Sequence, residues 1–587
     1  MLERLKNFLD SVSRECGKTF REDAGFFALL NILNISVFLE VIVKNPETKT
    51  ELMFLVIDHA EIFLLGTVQI FILCVAIHFL FSRLPEVKKF VQIVTGIYFF
   101  LVCVTDIFLI FKFQTVMMHI VMATILGTNP FSVKEFLRDY ILKPYVFALL
   151  VAGVGFIFLT VKALKKFLTG FLMTRVFEKI SQPVQRFLIV GILIVLTGLW
   201  SHWIYRAYAF GDWNANKKVV TSTAAGRVSM TFYYFVHNFP IGDEKKIFAE
   251  MDKQNEAEKI LEDKSEIPYI IYVIGESADR NHMSLYGYRL ETNPLLQKRF
   301  DAGELIRFND VIACGNTTPV AMSMMGTFAE KEAPMNDWVY KANLFDIMKR
   351  AGYYTIWISN QSRYGVFGNF DTYFSERCDE KFFTDVAYGD RVLDGLLLKT
   401  VDEYLEKPHE KNFYVIHLTG QHWTYSERYP SEFAKFKAED EDKPEEVWRQ
   451  KTSEYDNATL YNDFVLDEII KRFENKNAVV IYISDHGNEV YEGRDFAGHS
   501  PEAIGNVCMI EVPMFVWTSK IFREKYPEKI SRFKSAVDRP YRLDSLIHSI
   551  LDLADIHTTS YDPTKSIWNE KFEPRPRIYN GKLYQKN

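Results

Sequence analysis

Every long apolar run in this 587-residue chain lies before about residue 205, and the remainder is charged and mixed. A run of about 20 apolar residues can satisfy its own backbone inside a bilayer only as a helix. The first third of the chain is therefore committed to a membrane, and the rest is free to build a large water-facing core. Five runs are long enough, or nearly so, to span: about Phe26–Val43, Ile62–Phe81, Val91–Phe111, Tyr145–Val161 and Phe187–Ile204. Asn31, Asn34 and Glu40 interrupt the first. Its late start, with no small-residue cleavage site after it, argues against a cleavable signal peptide. The expected membrane domain is a bundle of five transmembrane helices over residues 1–205.

Loop charge gives an orientation. Segments 1–25, 83–90 and 162–186 carry fourteen Lys or Arg, against six in 44–61 and 112–144. The excess of positive charge predicts a cytoplasmic N-terminus. Five spans then put everything after about Tyr205 on the far side. Four spans would leave the second domain in the cytoplasm. Thr115–Leu126 is apolar but short and reads as an interfacial helix. Residues 206–266 read as a tether with interfacial helical pieces, its aromatics Phe232, Tyr233, Tyr234 and Phe235 suited to a membrane surface or to local packing. A formal net charge of −6 shows no basic bias toward nucleic acid. The six cysteines form no CxxC pair. Only Cys314, Cys378 and Cys508 fall in the second domain, so at most one disulfide can form there.

Residues 267–587 alternate short β-branched and aromatic runs with helical patterns. Strands are expected at Tyr269–Ile274, Ile306–Ile312, Tyr353–Ile358, Phe413–Leu418, Val479–Ile483 and Pro513–Trp517, and helices at Leu344–Ala351, Gly389–Leu405 and Asn457–Phe473. Continuous apolar strands between helices indicate an α/β domain with a mainly parallel sheet covered on both faces. Ligands of such sheets bind beyond the carboxyl ends of the strands. Those ends carry Gly275-Glu276-Ser277, Cys314-Gly315-Asn316-Thr317-Thr318-Pro319, Ser359-Asn360-Gln361, His417 with His422, and Ser484-Asp485-His486-Gly487. Singly, each has an ordinary reading as a turn, a cap or a structural histidine. Together they bring oxygen and nitrogen donors to one edge, where a metal ion can be held.

Thr318 precedes Pro319 and a helical run, which suits it to capping a helix. A helix start also favours anions and can hold a phosphoryl group. A threonine hydroxyl becomes a useful nucleophile when a metal or base activates it. Thr317 is its neighbouring competitor.

The segments VIGESADRNHMSLYGYRLETNP (273–294), CGNTTP (314–319), HLTGQH (417–422), YDNATLYND (455–463) and SDHGNEVY (484–491) resemble the bacterial phosphoethanolamine transferases. These belong to the alkaline phosphatase and sulfatase-like superfamily. The resemblance covers about 267–565, and a five-span N-terminal half fits it. It implies an α/β sandwich domain of that type in the periplasm, behind an inner-membrane anchor. It also implies a zinc ion held by Glu276, Thr318, Asp485 and His486, with Thr318 as nucleophile. His422 and His499 resemble histidines that handle the substrate phosphate or a second zinc, His417 is a weaker member of that group, and Asn360 and Gln361 fall near the substrate headgroup.

Two departures stand out. Met324 occupies the place of a second cysteine ten residues after Cys314. Asn488 follows Asp-His-Gly where the family often has glutamate, with Glu489 next, which leaves the usual glutamate's role unassigned. YGYRLETNP (286–294), WTSK (517–520) and SYDPTKSIW (560–568) look closer to the branch that modifies core heptose.

The implied reaction moves phosphoethanolamine from phosphatidylethanolamine, through a covalent intermediate on Thr318, to a glycolipid such as lipopolysaccharide core or lipid A. The donor and acceptor are lipid-borne, so membrane anchoring raises their effective concentration. The rival readings are a phosphoglycerol transferase, a phosphodiesterase and a non-catalytic lipid-binding protein. A sulfatase is disfavoured because Cys/Ser-x-Pro-x-Arg is absent at Cys314.

Overall fold

The structure, a computed structural model, describes residues 19, 22–43, 49–113, 115–117, 121–122, 133–134, 136–170, 222–238, 244–334, 336–363, 370–388, 392–500 and 505–586. The chain divides into two compact units, one containing residues up to 123 and 136–237, the other containing 238–587.

In the first unit, three helices are long and apolar enough to cross a membrane: Lys49–Phe81, Pro85–Phe113 and Val146–Gly170. They account for three of the five expected spans. The first expected span is two shorter helices, Ala24–Leu33 and Ser36–Val43. The break has a physical cause: Asn34 turns its amide to the backbone of a distant segment, accepting from Ala224 N (2.8 Å) and donating to Ser222 O (3.2 Å). The fifth expected span, Phe187–Ile204, and most of Thr115–Leu126 lie outside the described residues.

A buried ion pair crosses this unit. Arg227, on helix Ala224–Asn238, bonds Asp106 within helix Pro85–Phe113, and Ser36 Oγ donates to the same carboxylate (3.1 Å). Removing one partner strands the other charge away from water. Arg227→Leu should therefore destabilise the full chain in detergent by about 3 kcal/mol or more, and Asp106→Leu/Arg227→Leu should recover most of it. Equal melting losses in the single and double variants would dismiss the pair.

The second unit is built on seven strands: β1 Tyr269–Gly275, β2 Leu305–Phe308, β3 Tyr354–Ser359, β4 Glu380–Phe383, β5 Asn412–His417, β6 Ala478–Ser484 and β7 Met514–Thr518. Their order is β2-β7-β6-β1-β5-β3-β4. β6, β1, β5, β3 and β4 run parallel, and β7 is antiparallel to both of its neighbours. Every residue of β5, β6 and β7 is buried, as expected for strands covered on both faces. One face packs Ile270, Tyr272, Phe413 and Ile481 against helices that include Leu344–Arg350 and Leu546–Leu553. The other packs Ile271, Val273, Ile416 and Val480 against Leu397–Leu405 and Glu446–Phe473. This is the expected α/β sandwich.

The expected 206–266 tether is divided differently. Helix Glu244–Ala257 belongs to the second unit: Ile247 and Met251 lie in its core, and Asn255 donates to Asp346 (2.8 Å). Strand Ile260–Asp263 pairs with Ile556–Thr558. Residues 222–237 belong to the membrane unit. Cys314, Cys378 and Cys508 are all free thiols, so no disulfide forms among the described residues of this domain.

Candidate metal centre

Three parallel strands deliver the site. Glu276 follows β1, Asp485 and His486 follow β6, and His417 ends β5. One donor atom from each of Glu276, Asp485 and His486 lies within 4.8 Å of the others, and all three residues are buried. His486 Nε2 is 3.3 Å from Glu276 Oε1 and 3.5 Å from Asp485 Oδ2. Its Nδ1 is 2.9 Å from Gly487 O, so that nitrogen carries a hydrogen and Nε2 is the atom turned to the site, where a bound cation would displace its proton. Asp485 Oδ1 accepts from the Ser277 and His486 backbone N–H groups (3.2 and 2.7 Å). Its Oδ2 is enclosed and has no hydrogen-bond partner among the described residues.

Electrostatics favour a cation here. Burial, then repulsion from Glu276, pushes Asp485 up to about 7. Burial also opposes ionisation of Glu276, yet His486, then His422 and His417, outweigh it and hold that carboxyl well below its usual range. Burial opposes charge on His486, but Asp485 and Glu276 raise it to about 9. Two enclosed carboxylates are costly together, and a divalent cation between them would relieve that cost. The donor set is two carboxylate oxygens and one imidazole nitrogen, with the Thr318 hydroxyl adjacent. Borderline zinc accepts such a set.

Thr318 is the first residue of helix Thr318–Met325, and the N-cap is Thr317. This corrects the capping role expected for Thr318. The residue is partly exposed, and its hydroxyl donates to Glu276 Oε2 (3.0 Å) and lies 3.4 Å from His486 Nε2. Thr317 is buried, and its hydroxyl has no partner among the described residues.

Most of the other expected site residues gather around this cluster. The His499 ring lies 4.5 Å from the His486 ring, centroid to centroid. Burial, then the His486 charge, lowers His499 to about 3. His422 is partly exposed, in a loop tied to the end of β1 by a bond from Gln421 N to Glu276 O (2.9 Å). Gly420 makes this approach possible: its φ is +51°, and a Cβ there would stand 2.7 Å from Glu276 O. His417 is buried, with Nδ1 2.8 Å from Asp371 Oδ1, and its Nε2 has no partner among the described residues. Gln361 Nε2 reaches Leu418 O (2.9 Å) and Glu276 Oε2 (3.4 Å).

Asn360 is a correction. It is fully buried, and its amide is committed to Val392 O (2.6 Å), Asp394 Oδ1 (2.7 Å) and the Thr384 hydroxyl (2.6 Å). It has no polar atom to offer a headgroup directly, and it braces the loop instead.

Two supporting residues emerge only from the three-dimensional arrangement. Asp394 accepts from Thr419 N and Gly420 N, both at 2.9 Å. Tyr455 donates to Ser277 O (2.7 Å) and accepts from Asp279 N (2.8 Å), which pins the turn after Glu276, where Ser277 adopts φ +62°. Tyr455 opens the segment YDNATLYND, but no spacing rule reveals a hydroxyl that reaches back across the sequence. Tyr455→Phe leaves both backbone groups without that partner and should lower stability by about 2 kcal/mol, read as a shifted denaturant midpoint at constant slope. An unchanged midpoint would mean that the turn holds without it.

Comparison with known proteins places this domain among relatives. Residues 268–556 match the sulfatase family. The chain is 35% identical over 332 residues to phosphoethanolamine transferase EptC of Escherichia coli (strain K12), covering 54% of this chain and 56% of that one. The match thus spans little more than half the length of that curated relative. The crystal structure of the C-terminal periplasmic domain of EptC from Escherichia coli in complex with Zn has a TM-score of 0.50 at 33% identity, covering 56% of this chain and 93% of that domain. The integral membrane protein lipooligosaccharide phosphoethanolamine transferase A from Neisseria meningitidis shares the fold at 22% identity. Its TM-score is 0.59, with 92% of this chain and 97% of that one covered, so the likeness in fold extends beyond the C-terminal domain. Residues 268–556 thus form a sulfatase-family domain, and over about half its length the chain is similar to phosphoethanolamine transferases.

Proposed function

We propose that this chain is a zinc-dependent phosphoethanolamine transferase of the bacterial inner membrane. It has five spans and a catalytic domain in the periplasm, and it takes phosphatidylethanolamine as donor and a surface glycolipid, lipopolysaccharide core or lipid A, as acceptor. The observation that carries the reading is the Thr318 hydroxyl, on a partly exposed residue at a helix start, 3.0 Å from Glu276 Oε2 and 3.4 Å from His486 Nε2. Glu276, Asp485, His486 and Thr318 would hold the metal, whose charge would lower the pKa of the Thr318 hydroxyl and stabilise the developing charge at phosphorus.

The chain's own groups do the rest. Glu276 Oε2 receives the Thr318 hydrogen bond and orients Oγ1 for in-line attack. The Oγ1–P bond forms as the Thr318 proton passes to Glu276 Oε2, to be returned when Thr318 is freed, and the bond from phosphorus to the diacylglycerol oxygen breaks. His422 is partly exposed and is assigned to protonate that oxygen. His499, held neutral, donates its ring N–H to a phosphate oxygen. The acceptor hydroxyl or phosphate then attacks the phosphoethanolamine–Thr318 intermediate and frees Thr318. Gln361 and His417 line the same edge and are assigned to the substrate side.

The test is mass spectrometry of the full chain after incubation with phosphatidylethanolamine in detergent. A phosphoethanolamine adduct on the peptide containing Thr318 is expected. A phosphoglycerol adduct, or none from active enzyme, would overturn the donor assignment.

A further inference from the structure

Beyond His486 the chain makes a small hairpin. Strand Glu489–Val490 pairs antiparallel with Ala497–Gly498, in the register Glu489↔Gly498 and Val490↔Ala497. His499 follows directly, so its position depends on this ladder. Two residues per strand are too few to be stable alone. Tyr491 also sits in the hairpin at φ +64°, a conformation unfavourable for a bulky side chain. Something else must hold it closed.

Trp448 stacks on Tyr491 and donates to Asp495 (2.9 Å) from outside, and Glu489 and Arg494 supply the closure from within. The Glu489 side chain is wholly buried, and its Oε2 lies 2.8 Å from both Nε and a terminal nitrogen of Arg494. Asn506 Nδ2 donates to the other oxygen (3.3 Å). The Arg494 guanidinium lies over the Phe496 ring, 4.7 Å from its centroid. The segment after His499 is tied to the nucleophile loop, because Asn316 Nδ2 donates to Ser500 O. The hairpin thus runs from His486 to His499 and on to the segment that precedes Thr318.

We infer that the buried Glu489–Arg494 pair is a positioning device that holds the hairpin closed and so sets His499 beside His486. It gives Glu489 a role that Asn488, at the family's usual glutamate position, does not fill, since among the described residues the Asn488 side chain reaches only the Tyr425 hydroxyl (3.4 Å). The catalytic part of this inference rests on the proposed transferase activity.

The test uses the full chain in detergent, with Arg494→Ala and the milder Arg494→Lys. Diethylpyrocarbonate labelling of His499, read by peptide mass spectrometry, reports the ring's position without needing turnover. Opening the hairpin should raise labelling several-fold in Arg494→Ala and less in Arg494→Lys. Turnover of phosphatidylethanolamine should fall about 100-fold in kcat, with KM within about twofold, because a misplacement of about 1 Å has effects of that size. In a His499→Ala background, Arg494→Ala should cause little further loss. Unchanged labelling, or fully additive losses in the double variant, would overturn the inference. If the wild type turns over no phosphatidylethanolamine, the transferase reading fails, and the labelling ratio alone decides the positioning role.

Discussion

Thr318→Ala should lower turnover by about 10⁴-fold or more, the usual consequence of removing a nucleophile that works as one unit with its neighbours. The same change should alter stability little. Thr317, not Thr318, is the N-cap, and no backbone group of the helix depends on the Thr318 hydroxyl for capping. Metal content should also largely survive, because Glu276, Asp485 and His486 converge without it. Thr318→Ser should retain measurable turnover, since the hydroxyl remains. The decisive control is Thr317→Ala. Thr317 is buried and Thr318 is partly exposed, so only the latter is open to a substrate phosphate. If Thr317→Ala abolished turnover while Thr318→Ala did not, the nucleophile would have been assigned to the wrong hydroxyl.

Asp485→Asn should abolish metal retention and turnover together, measured by elemental analysis and by lipid transfer. Its stability signature is unusual. Asp485 and Glu276 are enclosed side by side, and repulsion from Glu276 adds to the cost of burying Asp485. After chelation, the asparagine variant should therefore unfold at a higher denaturant concentration than the wild type, by about 1 kcal/mol. With zinc supplied the order should reverse, because only the wild type gains stability from a ligand that binds the folded state. A variant that kept its metal and its turnover would remove Asp485 from the centre.

The strands that carry the site were legible because they are buried on both faces and read as unbroken apolar runs. β1, β5 and β6 fall within a residue or two of their expected limits. The expected strand Ile306–Ile312 divides at Asn309-Asp310 into β2 and Val311–Ile312. β4 was invisible: Glu380–Phe383 is a half-exposed edge strand with charged residues. The long helix begins at Glu446, well before the expected Asn457, because its first turn is exposed and the next buries polar residues, Thr452, Ser453, Glu454 and Asp456, so no apolar stripe marks it. The Ile260–Asp263 strand could not be read locally, since its partner lies at Ile556–Thr558.

At the site, residue types at strand ends showed where chemistry collects, but not which way each side chain turns. Asn360 is the clearest case. It stands at the expected edge and spends its amide inward on Asp394 and Thr384. The Glu489–Arg494 pair was hidden for the same reason: a charged loop sequence does not announce that one of its charges is fully enclosed.

The strand order also has a consequence in time. β1, first of the seven in sequence, lies between β5 and β6. Glu276 at its end therefore waits for β6 to bring Asp485 and His486, about 200 residues later on the ribosome. At roughly 5–20 residues per second, that delay is on the order of 10–40 s. Through that interval an emerging chain carries Glu276 without its partners, so the centre matures late, after its anchoring helices have been made.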